Sequence, residues 1–141
     1  MKRLAVVGLL VCAIAIAGAG CQSETTTPDY TIASAVTETF QGTLGVQGST
    51  FFSFIVGNPD PISVTLASLT KSSGTAVATT VKLGFGVPSG ETCAPTTSLT
   101  TASGLQAQVL QVASKGTYCV IISDAGGMTE ALNFAIKIKH S

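Results

Sequence analysis

Over much of the chain, apolar residues return at every second position. "STFFSFIV" sets Phe52, Phe54 and Val56 on one face, with Phe51, Ser53 and Ile55 on the other. "ISVTLASLT" groups Ile62, Val64 and Leu66, "TVKLGFG" groups Val81, Leu83 and Phe85, and "GTYCVIIS" groups Tyr118, Val120 and Ile122. The clearest run is "ALNFAIKIKH", in which Leu132, Phe134, Ile136 and Ile138 alternate with Asn133, Ala135, Lys137 and Lys139. A period of two marks half-buried β-strands. Weaker runs over 36–44 and 106–112 predict two more strands, and "GNPDP", "KSSG", "VPSG", "ASKG" and "DAGG" punctuate the series as turns. Seven or eight short strands without a helical period predict an all-β sandwich over 34–141. Its core is expected to hold the grouped residues named above, Val56 aside. In this register Cys119 points away from the core, so a bridge from it to Cys93 would lie on an outer face or rim. There it would pin the Pro-containing segment 88–104 to a central strand.

The first 33 residues follow a different rule. "MKRLAVVGLLVCAIAIAGAGC" begins with two positive charges and continues as an uncharged apolar run from Leu4 to Gly20, ending in small residues. This is the plan of a signal-peptide helix over 1–20. A retained membrane span is the alternative, but 17 residues is at the lower limit for crossing a bilayer. Gly18-Ala19-Gly20-Cys21 resembles the lipobox of bacterial lipoproteins, with Gly18 where that family usually has Leu. The resemblance implies cleavage before Cys21 and lipidation of its thiol, placing the protein in the bacterial cell envelope, at the outer membrane or periplasmic face. Ordinary secretion, cut after Ala17 or Ala19, would instead release a soluble domain without lipid. Residues 21–33 carry the attachment site and a Thr-rich tether with no hydrophobic period, about 40 Å long if extended.

The four cysteines sort accordingly. Cys12 leaves with the leader and Cys21 takes lipid, so Cys93 and Cys119 remain as an even pair in a compartment where disulfides persist. A metal site is the rival reading for that pair, yet His140 is the one histidine in the chain. Charge narrows the options further. Only 10% of residues are charged, where about 25% is usual, and Ser and Thr outnumber them by more than two to one. Without Lys2 and Arg3, five lysines face seven acids, a net charge of −2. No basic stripe for nucleic acid is present.

The strand motifs together carry a family resemblance. "FQGTLGVQGSTFFSFIV", "ISVTL", "KLGFG", "KGTYCVIISD" and "LNFAIKI" resemble the bacterial pre-peptidase C-terminal domain across roughly residues 36–139. Its Gly-Xaa-Leu opening is matched by Gly42-Thr43-Leu44, and its Gly-Thr-Tyr strand by Gly116-Thr117-Tyr118. The resemblance implies a jelly-roll-like sandwich, non-catalytic, with a role beside a partner or on a substrate. Some members of the family bind calcium, but no full ligand set can be matched here.

Catalytic chemistry is poorly supplied. A Ser-His or Cys-His pair would have to use His140, beside the C-terminus, where ordering is expected to be poor. Asp60 and Asp124 read as turn formers. Asp124 with Glu130 around one loop is the alternative, as part of a calcium site. No glycine loop has the form that cradles phosphate. There is no Trp to stack on a sugar, and Tyr118 belongs to the expected core. Phe51 and Ile55 form a small apolar patch, either covered by a loop or open to a protein partner. The reading is an envelope lipoprotein that is structural or binds another protein. A module for a polysaccharide or extracellular protein polymer is the alternative. Neither needs a cofactor.

Overall fold

A computed structural model describes residues 34–141. The leader with its expected helix, Cys21 and the tether lie outside the described residues. Eight strands make up the domain: β1 (Val36–Leu44), β2 (Ser49–Val56), β3 (Asp60–Thr70), β4 (Val81–Ser89), β5 (Thr92–Thr101), β6 (Val109–Ala113), β7 (Gly116–Asp124) and β8 (Leu132–His140). They form two four-stranded sheets, in the orders β1-β8-β3-β6 and β2-β7-β4-β5, and every pairing is antiparallel.

The order has a simple logic. β1 pairs with β8, β2 with β7, β3 with β6 and β4 with β5. The chain is thus one long hairpin whose tip is the β4–β5 turn, rolled up so that successive pairs alternate between sheets. The added pairings β3–β8 and β4–β7 close each sheet. This is a jelly roll, an arrangement that leaves few unprotected strand edges. At the tip, Gly90 (φ 61°) is the first residue of a two-residue loop, where a positive φ lets the hairpin follow the twist of its strands.

Alternation explains the core. Thirteen of the fifteen residues expected inside are buried there, each of them worth roughly 1.5–3 kcal/mol. Phe52 and Tyr118 are half-buried and pack against that core. Phe52 stacks on Phe40 at 4.9 Å and meets Phe134 edge-on at 5.9 Å. Tyr118 stacks on Phe85 at 5.4 Å and donates its hydroxyl proton to the Ser114 carbonyl at 3.0 Å. These pairings satisfy the phenol and keep both rings against apolar neighbours.

Strict alternation fails in two places. In β3 the register with β8 shifts between Leu66 and Ser68. The bulge leaves Ala67 unpaired and resets the phase, so Leu69 is buried although it lies three residues after Leu66. The other failure is β5, which the apolar pattern does not reveal. It is an edge strand of mostly Thr and Ser, with Pro95 opposite Gly86 next to a second bulge. Edges and bulges are where a strand tolerates proline. β6 begins three residues later than its pattern suggests. Gln108 lies ahead of it, and its side-chain carbonyl accepts the Leu66 N–H at 2.7 Å.

Candidate functional site

The expected bridge is present, joining Cys93 to Cys119 on the outer face of the β2-β7-β4-β5 sheet. Outward pointing does not make it exposed: Cys119 is fully buried and Cys93 nearly so. The reason is geometric. β5 and β7 flank β4, so flat strands would hold their Cα atoms about 9.5 Å apart. The two cysteine Cα atoms are 5.9 Å apart. The first half of β5 therefore curls over β4 and lies on the sheet. Gly86 permits this, since a Cβ there would sit 2.6 Å from Pro95 Cα and closer still to the Ala94 carbonyl oxygen. The bulge between Phe85 and Gly86 supplies the bend, and Thr96 Oγ1 donates to the Phe85 carbonyl at 3.2 Å.

His140 does not sit on a frayed end. It is the last residue of β8, is buried, and stands 5.2 Å from the Phe54 ring. Its Nε2–H donates to Glu38 Oε1 at 2.8 Å, while Nδ1 is buried without a partner among the described residues. Beyond it the Ser141 carbonyl accepts the N–H groups of Gly57 and Asn58. Cross-strand pairing and this clamp order the end of the chain, against the expectation from position alone. Among the described residues no serine hydroxyl or cysteine thiol is hydrogen-bonded to the ring, and its polar contact is the Glu38 carboxylate.

At the opposite end, Asp124 closes β7 and ties two loops together. Its Oδ2 accepts the Gln47 N–H at 2.9 Å, and its Oδ1 accepts those of Gly126 at 2.8 Å and Met128 at 3.3 Å. Gln47 adopts φ 55°, unusual for a residue with a side chain, and the carboxylate helps hold that turn. The Gln47 amide is the main cause, with the amides of Gly126, Met128 and Gly127 adding to it, of an Asp124 pKa below the ordinary 3.8. Glu130 pairs instead with Lys71, both half-exposed. The two acids are thus engaged separately. Among the described residues no three metal-ligating side chains cluster. Asp60, expected in a turn, is the first residue of β3.

Because its folded pKa is depressed, Asp124 contributes stability that is complete above the unfolded value and lost as pH falls through the folded one. Acid titration followed by circular dichroism should show the wild-type domain weakening below about pH 3.8. In Asp124→Asn the part of that acid limb due to this carboxylate should vanish, and Tm at neutral pH should be lower. Superimposable acid limbs would show that the carboxylate does not hold the loops.

A concavity lies on the outer face of the other sheet. It is an open groove of about 460 Å³ across β1, β8 and β3, lined by Gln41, Thr43, Ser68, Thr70, Asn133 and Ala135, with Gly42 and Phe134 beneath. The short side chain of Ala135 and the β3 bulge leave the space. Thr43 Oγ1 donates to Asn133 Oδ1 at 2.8 Å. Every polar side chain in the lining is uncharged. Sequence periodicity marks these positions as outward, but only strand order brings three separate strands together around them. On the second sheet Ile55 is 68% exposed, with no loop of the described residues over it, while Phe51, on the same face of β2, is half-buried.

The fold and its clasp define a disulfide-braced jelly-roll sandwich with a polar groove on one face. No protein-family model matches the chain, and neither does any curated protein.

Proposed function

We propose that this chain is an exported lipoprotein of the bacterial cell envelope, anchored through Cys21, whose sandwich is a non-catalytic structural or protein-interaction module. The observation that carries the reading is the sorting of sulfur. Cys93 and Cys119 are joined to each other in the domain, which suits an oxidising compartment. That leaves Cys21, placed directly after the apolar leader, as the cysteine for lipid. Two or more acyl chains give a stable anchor, each buried methylene contributing about 0.8 kcal/mol. The resemblance to pre-peptidase C-terminal domains supports the module's non-catalytic character. So does the engagement of His140 with Glu38 rather than with a nucleophile.

Metabolic labelling with a palmitate analogue tests the anchor. The wild-type protein should carry label and partition with membranes, and Cys21→Ala should lose both. Unlabelled wild-type protein, fractionating as the variant does, would refute it in favour of a soluble secreted domain. A second reading, an accessory module for a polysaccharide or extracellular protein polymer, is favoured by the groove across β1, β8 and β3.

A further inference from the structure

We infer that the outer face of β1, β8 and β3 binds an acidic polysaccharide, a site that rests on the second reading above and narrows it to one ligand class. The registers lay this face out as four rows across three strands. Lys139 stands between Thr37 and Ser63, and Lys137 between Thr39 and Thr65. The next two rows, centred on Ala135 and Asn133, form the groove. Four rows at the two-residue strand spacing extend over about 20 Å.

The chemistry of the face is selective. Among the described residues no acid of these strands projects from it: Glu38 in β1 lies on the opposite side with His140, Asp60 in β3 shares the side of Ile62, and β8 has none. Among the described residues neither Lys137 nor Lys139 has an ion-pair partner, whereas Lys71 does. Two like charges on adjacent rows of a central strand are mutually unfavourable, and an anionic ligand relieves this. The groove beside them presents hydroxyls and amides, which match sugar hydroxyls and give no reward to a bare anion. Across β1, β8 and β3 these rows hold no apolar side chain larger than that of Ala135; exposed apolar groups stand only at the β6 edge, Leu110 beside Ser63 and Val112 beside Pro61, too few to bury a face in a bilayer. Arginines and the aromatic rings on which nucleic acids are read are missing from the rows. An extended polymer carrying both hydroxyls and carboxylates satisfies the groove and the lysines together.

The full mature chain, extracted from membranes in detergent, is titrated with polygalacturonate oligomers, neutral dextran oligomers and phosphatidylglycerol vesicles. Binding to the uronate is expected, weakening as salt rises. It should fall about tenfold or more in Lys137→Gln/Lys139→Gln and in Gln41→Ala/Asn133→Ala. All four positions are exposed, and thermal melts of both variants should match the wild type. Uronate binding unaltered in both variants would overturn this site while leaving a ligand-binding module elsewhere on the domain. Failure to bind any polymer would overturn the site and the second reading together. Dextran binding as tight as uronate binding, or binding to the vesicles alone, would overturn the acidic-polysaccharide assignment.

Discussion

Replacing Cys119 by serine lowers the melting temperature of the domain by about 15 °C. The bridge closes a loop across 26 positions, and removing it returns conformational freedom to the unfolded chain worth about 3.5 kcal/mol. Unfolding a domain of this length carries an entropy that converts that loss to roughly the stated shift. A folded-state contribution works in the same direction. The Cys93 end of β5 is held over Gly86 against the curvature of a flat sheet, and without the bridge that segment keeps only its ladder bonds and the Thr96 hydroxyl. Melts of the wild type with and without reductant should differ in the same sense, and Cys119→Ser should be insensitive to reductant. Coincident melts in all four conditions would show that the clasp contributes nothing.

Gly86→Ala is expected to cost about 3–5 kcal/mol, at the upper end of single substitutions. The added methyl meets main chain at Ala94 and Pro95, neither of which is a flexible side-chain end that could move aside. Either β5 lifts and carries Cys93 away from Cys119, or the bulge is lost and the ladder beyond Phe85 slips. Gly45→Ala provides the control. A Cβ there meets no atom within 4 Å, and the change should stay within about 0.5 kcal/mol. Chemical denaturation of both variants measures the difference. Equal midpoints would mean that the close approach of β5 to Gly86 does not constrain the fold.

The residues that the sequence made legible share one property: one face in the core and the other in water. β2, β3 and β8 have that environment, β4 and β7 have it except where β5 covers their outer face, and alternation puts Ile62, Val81, Ile122 and Ile136 inside, where they lie. β5 escaped because an edge strand lying on its own sheet buries little beyond Cys93 and Leu99, so no period of two develops. Leu69 escaped because a bulge changes phase without leaving a mark in composition. Distance to the end of the chain is a poor guide to His140, since pairing of β8 with β1 is a long-range fact. Alternation gives the outward face of Cys119, but its burial depends on β5, which leaves no mark in the apolar pattern. The groove was invisible for a similar reason. Gln41, Ser68 and Asn133 each read as ordinary outward residues, and only the β1-β8-β3 order makes them neighbours.

Where each sulfur atom ends is read directly by intact-mass and peptide mass spectrometry of the protein recovered from its native membranes. The expected result is a chain beginning at a lipid-modified Cys21, with one peptide pair linked through Cys93 and Cys119 and two hydrogens lighter than the reduced form. A mature chain in which residue 21 is unmodified, or in which 93 and 119 are both free thiols, would contradict it.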